Sequence, residues 1–350
     1  MRIIHCADIH LDSSLNTHLT IKQATVRKNE ILNTFYRMTV FAKENDVKTV
    51  LIAGDLFDEE SVTKSTIDLL FSFIKETSNI DYFYVSGNHD EKCYGLLEDK
   101  PDNFYLFTKK WQTARYQDIT ISSTILHDGM YEELPVLSKD KYNIVMLHGD
   151  ISNRNDANYI HLDLLRNRNI HYLALGHIHS YMQNKLDYTG VYAYSGCLEG
   201  RGFDECGEKG FILLDTDTKE ISFIPFSCRH FNQVEVDISH LASNFEIIQK
   251  IKECTVNISK EDMIEIILTG SKSLQSFLAI DYVQEMIRND FFYITIKDET
   301  KLDIDESLYK NDISLKGEFI RTILDSNEVE MDKEEMIKLG IEALSGDIKI

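Results

Sequence analysis

The chain has 350 residues, is 43% hydrophobic and 27% charged, and carries a formal net charge of −21. Its length suits one large domain plus a smaller one, and no apolar run approaches the roughly 18 residues of a membrane span. The charge argues against nucleic-acid binding through the overall field of the molecule. The acidity is uneven: 25 acidic and 13 basic side chains from residue 231 onward, against 33 and 24 before it. Six cysteines (Cys6, Cys93, Cys197, Cys206, Cys228, Cys254) lack any C-x-x-C spacing and read as reduced structural thiols. Met1 to Cys6 runs straight into a strand with no secretory h-region, so a cytoplasmic protein is expected.

Short apolar runs at Ile3–Ala7, Thr49–Ala53, Tyr82–Ser86, Ile144–Leu147 and Tyr172–Leu175 have the look of buried strands. Between the first two, Ile31, Phe35, Met38 and Ala42 recur at helical spacing. A second helix is expected after Ser61 as N-cap, with Ile67, Leu70, Phe71 and Ile74 on one face. Strands alternating with helices predict an α/β sheet with helices packed on it. Consecutive strands follow at Val191–Ser195, Gly210–Asp215 and Ile221–Phe226, and a first domain ends near residue 230. Beyond it the pattern reads strand, helix, strand (Val234–Ile238, Phe245–Glu253, Met263–Thr269), then helix and strand (Leu274–Arg288, Phe291–Ile296). A closing helical region spans about Leu315–Leu344, interrupted near Ser326.

Five short segments sit where strands should end: Asp8-Ile9-His10, Gly54-Asp55-Leu56-Phe57-Asp58, Gly87-Asn88-His89-Asp90, His148-Gly149-Asp150 and Gly176-His177-Ile178-His179. Ligands of α/β sheets bind beyond the carboxyl ends of strands, so one composite site can gather all five. Aspartate, asparagine and histidine without cysteine suit a pair of divalent cations such as Mn, Fe or Zn. Two such ions in an open site are a common apparatus for splitting phosphate esters. Asp8 and His10 are two apart, so in extended chain they project to one side. Asp55 offers two oxygens, enough to bridge ions about 3.5–4 Å apart. Asn88 offers a neutral carbonyl oxygen, while His89 points elsewhere and is suited to general acid work with Asp90 holding its ring.

This ordered set resembles the calcineurin-like metallophosphoesterase superfamily over about the first 230 residues. Within it, Ile4 to Asp12 and the segment Tyr194 to Gly210, which contains Phe203-Asp204-Glu205, resemble the SbcD and YhaO-like bacterial DNA repair exonucleases. Leu198 to Gly202 follows the YhaO-type branch, where SbcD has a proline-containing stretch. The resemblance implies a four-layer αββα metallophosphoesterase sandwich over 1–230 and a smaller α+β capping or partner-docking domain over 231–350. It implies one metal held by Asp8, His10, Asp55 and His179, and a second by Asp55, Asn88, His148 and His177. A hydroxide bridging the ions would attack phosphorus, with His89 stabilising charge or protonating the leaving oxygen and Asp90 orienting it. The expected metal is Mn2+, and the expected partners are DNA, an SbcC-like coiled-coil ATPase and a second copy of the chain. A small-molecule phosphodiesterase or phosphatase, or a catalytically silent DNA-binding scaffold, are the alternatives.

Other residues admit two readings. Arg201 and Lys209 flank the F-D-E segment and could touch substrate phosphates or be ordinary surface charges. Arg154, Arg166 and Arg168 could line a groove or be solvated charges, and Tyr194 and Phe203 could stack on a base or simply pack. His5 alternates with core positions of the first strand and reads as structural. The acidic helix from Glu328 to Leu344 reads as an amphipathic face, and the resemblance implies that it could dock the ATPase.

Overall fold

A computed structural model of the protein describes residues 1–15, 19–58, 61–152, 159–273, 279–303, 309–326 and 333–345. The chain divides into two compact units, Met1–His230 and Phe231–Ile350.

Among the described residues of the first unit fourteen strands follow in order. They are β1 (Arg2–Cys6), β2 (Val47–Ala53), β3 (Asp81–Val85), β4 (Phe104–Leu106), β5 (Gln112–Arg115), β6 (Ile119–Ser123) and β7 (Tyr142–His148). Then come β8 (Asp150–Ile151), β9 (Tyr159–Ile160), β10 (Tyr172–Gly176), β11 (Met182–Lys185), β12 (Val191–Tyr194), β13 (Gly210–Asp215) and β14 (Glu220–Pro225). One six-stranded sheet runs β14-β13-β1-β2-β3-β4 and the other β11-β12-β10-β7-β6-β5. Helices α1 (Ile21–Glu44) and α2 (Lys64–Glu76) cover the outer face of the first sheet.

Alternation along the strands explains how two sheets stack. On β1, Ile4 and Cys6 pack with Ile31, Phe35 and Met38 of α1, while Ile3 faces Ile144, Met146 and Tyr172 of the other sheet. His5 shares that inner direction and is fully buried between the Tyr172 hydroxyl at 2.8 Å and the Leu175 carbonyl at 3.2 Å. It is structural, and burial pushes its pKa down to about 3. The outer face of the second sheet is covered by loop residues such as Met130, Leu137 and Leu186 and by the one-turn helix Leu162–Leu165. The αββα order therefore holds, with a thin fourth layer among the described residues.

Helix α2 begins two residues later than expected. Thr63, not Ser61, is its N-cap and accepts from Thr66 N, because the Ser61 hydroxyl is spent on the Asp12 carbonyl at 2.6 Å. Strands β4 to β6 and β11 were not expected, since their sequences lack a long apolar run. On β6 the buried Thr120 and Ser123 satisfy themselves on Asn143 and the Met146 carbonyl.

In the second unit, β15 (Phe231–Asp237), β16 (Met263–Thr269) and a strand at Tyr293–Asp298 form a parallel sheet in that order. The crossovers carry helices Asn244–Cys254 and Ile280–Ile287. The first of these is capped by reciprocal Ser243 and Glu246 bonds. Leu274, the expected start of the second, lies outside the described residues. Two further helices, Leu315–Asp325 and Lys333–Ser345, meet through Ile320, Ile323 and Ile337. Among the described residues no helix is long and apolar enough to cross a membrane.

Candidate metal centre

The five segments follow β1, β2, β3, β7 and β10, which run parallel within their sheets, so their carboxyl ends share one rim. Hydrogen bonds join the first two loops: Asp8 N donates to the Gly54 carbonyl, and Ile9 N and His10 N to the Asp55 carbonyl. Asp8 and His10 do converge, but not through extended chain. Their φ angles are 52° and 48°, in the left-handed region, and Asp55 (47°) and His177 (106°) share that strain. Gly54, at φ 95°, lies so close to His148 that a Cβ there would stand 2.7 Å from the imidazole's own Cβ.

Asp55 stands at the middle. One of its oxygens is 3.8 Å from His10 Nε2 and 3.3 Å from His148 Nε2. Asn88 Oδ1 lies 3.1 Å from His148 Nε2 and 3.2 Å from His177 Nδ1. On the other side His179 Nε2 is 4.0 Å from Asp8 Oδ1, and both Asp8 oxygens accept from His177 N at 3.0 Å. Two sets of donor atoms are grouped tightly enough for an ion: Asp8, His10, His179 and Asp8, Asp55, His148. His10 supplies the fit test. Both its ring nitrogens are buried without a hydrogen-bond partner among the described residues, which is costly unless a ligand takes one of them.

The charges of the cluster compensate one another. Burial, helped by the Arg201 charge, holds His10 neutral with a pKa lowered to about 2. Burial raises Asp8 to about 6. Burial also opposes charge on Asp55 and His148, but each is the other's partner. The pair wins, lowering Asp55 and raising His148 to about 9. A cation bound here would take the place of the His148 proton as counter-charge to the two carboxylates.

Other sequence expectations need correction. Asp90 does not hold the His89 ring: its carboxylate is fully buried and accepts from Gly87 N, Leu56 N, Phe57 N and the Tyr84 hydroxyl. It fastens the β3 loop to the β2 loop. The exposed His89 instead donates its backbone N–H to Asp55 and places its ring edge-on to His10, 5.2 Å between centroids. Lys209 is not a surface cation; it is 3% exposed and donates to the His179 carbonyl at 2.9 Å. Arg201 is half-buried beside His179. Tyr194 is buried and bonded to the Gly149 carbonyl, and is therefore packing. Arg166 is tied to Asp163 and the Leu186 carbonyl, Arg168 is exposed, and Arg154 lies outside the described residues. Sequence reasoning missed a cleft of about 340 Å³ on the Asn88 side, lined by His148, His177, Ile125, Leu126, Asp150 and Tyr159. Its apolar wall comes from a loop with no motif.

Stacked sheets with clustered donor groups at the strand ends are an arrangement suited to metal-assisted phosphoester hydrolysis. Residues 1–181 match the model of the calcineurin-like phosphoesterase family, and the chain belongs to that family. It is similar to the metallophosphoesterase YhaO of Bacillus subtilis, 23% identical over 86% of this chain and 82% of that protein. The DNA double-strand break repair protein Mre11 of Sulfolobus acidocaldarius is 25% identical over 97% of this chain and 98% of its own length. The SbcD component of the SbcCD nuclease of Staphylococcus epidermidis is 23% identical over 89% of this chain and 93% of its own length.

Proposed function

We propose that the protein is a dinuclear-metal phosphodiesterase acting on DNA, an SbcD-like exonuclease subunit of a repair complex. The observation that carries this is the convergence of Asp8, His10, Asp55, Asn88, His148, His177 and His179, with Asp8 common to both tight donor groups, Asp55 close to His10 and His148, and the His10 ring nitrogens without a hydrogen-bond partner among the described residues. Asp8, His10, Asp55 and His179 would hold one ion, and Asp55, Asn88, His148 and His177 the other, with Mn2+ the preferred metal. Bound ions supply Lewis acidity toward a phosphoryl oxygen and make water acidic enough to act near neutral pH.

The residues contribute the rest. His89, exposed at the rim, gives a proton to the leaving oxygen or stabilises its charge. Arg201 brings positive charge beside His10 and His179, where a phosphate would sit. The open cleft beside Asn88 gives a substrate room next to His148 and His177. Similarity to proteins named for break repair and for the SbcCD nuclease extends across the second unit, which supports DNA over a small ester. On the same ground an SbcC-like ATPase is the proposed partner, docked through the second unit, with a homodimer as the assembly and the cytoplasm as its setting. The acidic balance and Asp150 in the cleft favour the alternative, a small phosphodiester substrate.

Purified protein with Mn2+ should degrade duplex DNA from its ends, and Asp55→Asn or His89→Ala should abolish it. Hydrolysis of a chromogenic diester with no action on DNA, alone or with a partner ATPase, would shift the assignment to the small-molecule reading. Full metal occupancy with neither activity would leave a scaffold.

A further inference from the structure

One buried acid faces the centre without belonging to any of its five segments. Glu205 closes the short 3-10 turn Phe203–Glu205 and is 6% exposed. Its Oε1 lies 2.6 Å from His179 Nδ1. The carboxylate is clamped from behind: Arg201 N donates to Oε2 at 2.8 Å, and Arg201 Nη2 donates to Oε1 at 3.1 Å.

With Arg201 N and Nη2 both donating to it, Glu205 is held as a carboxylate, which only accepts, so the proton of the His179 ring resides on Nδ1. Arg201 Nη2 also approaches that nitrogen, at 3.3 Å, yet a guanidinium only donates. Both donors therefore converge on the one acceptor, Glu205. The consequence falls on the far side of the ring. Nε2 is left bare, and it is the nitrogen turned toward Asp8. The His179 backbone is fixed too, since its carbonyl accepts from the buried Lys209 ammonium.

We propose that Glu205 is a positioning residue for the metal centre: it sets the tautomer and angle of His179, so that Nε2 is presented ready for an ion, and Arg201 and Lys209 brace that arrangement. This rests on His179 being a metal ligand. A carboxylate behind a ligating histidine raises its basicity, and losing such a partner costs roughly 10–100-fold in metal affinity.

The test uses full-length protein, Glu205→Gln and Glu205→Asp. Glutamine keeps the shape but offers an amide donor, and aspartate keeps the charge but withdraws it by one methylene. Two readouts are taken: the ring 15N shifts of His179 in metal-free protein, assigned with His179→Gln, and a calorimetric Mn2+ titration. Wild type should show an Nδ1–H tautomer and two bound ions. Glu205→Gln should shift the population toward Nε2–H and weaken one ion about 10–100-fold, leaving the other within a few-fold. Glu205→Asp should weaken the same ion, and it decides the matter if the glutamine variant does not fold. Unchanged tautomer and affinities in a folded variant would overturn the positioning role while leaving the metal centre intact. A wild type that binds no ion would instead overturn the metal assignment, and this inference with it.

Discussion

Gly87→Ala isolates the effect of close approach at the centre. Gly87 does not adopt a left-handed φ, so alanine fits its backbone and any effect must come from the added methyl. That methyl carbon would stand 2.6 Å from Asp55 Cγ and 2.6 Å from His148 Nε2, and closer still to Asp55 Oδ1. Contacts of this kind become ordinary at about 3.4 Å, so the carboxylate and the imidazole must each retreat by roughly 1 Å. Asp55 also accepts from His89 N, and the retreat would loosen that bond. Misplacement by about 1 Å can cost on the order of 100-fold in rate. The assay is steady-state hydrolysis of a chromogenic phosphodiester with Mn2+, together with metal stoichiometry and thermal melting. The expected result is a fall in kcat of about 100-fold or more, weaker metal binding and a small change in melting. Wild-type kcat and affinity in Gly87→Ala would refute the close-packed centre.

Two further outcomes concern the scaffold. Glu199 is 1% exposed and accepts from Arg27, the Thr34 hydroxyl and Cys228 N, and Arg27 is equally buried. Glu199→Gln strands part of a buried charge and should cost about 3 kcal/mol, toward the low end for a broken buried pair because Glu30 still holds Arg27. It should appear as a lower urea midpoint at unchanged slope. His5 sets an acid limit. Its folded pKa is depressed to about 3, so below about pH 6.5 the unfolded chain binds a proton that the folded chain refuses. Stability attributable to His5 should therefore fall by up to about 1.4 kcal/mol per pH unit between pH 6.5 and 3. His5→Asn, which can still meet Tyr172, should flatten that slope in pH-dependent denaturation; an unchanged slope would contradict it.

The donor residues were legible because each follows an apolar parallel strand, and strand ends of one direction must share a rim. What the pattern hides is backbone sign and side-chain company. Nothing in the letters of Asp8 and His10 announces φ near 50°, so they looked like alternating residues of an extended segment. Asp90 adjoins His89 in the chain, yet backbone N–H groups from three residues consume its oxygens. Lysine is so rarely buried that Lys209 looked like a surface cation until its carbonyl partner was seen. Polar strands such as Ile119–Ser123 escaped because their hydroxyls are satisfied across the sheet rather than by water. Glu205 stood in a segment noticed for its resemblance, but only folding across 26 residues puts it on His179.

The centre itself is tested most directly by anomalous diffraction from crystals grown with Mn2+. The account predicts two peaks, one beside Asp8, His10 and His179, the other beside Asn88, His148 and His177, with Asp55 between them. A single peak, or two that do not share Asp55, would contradict it.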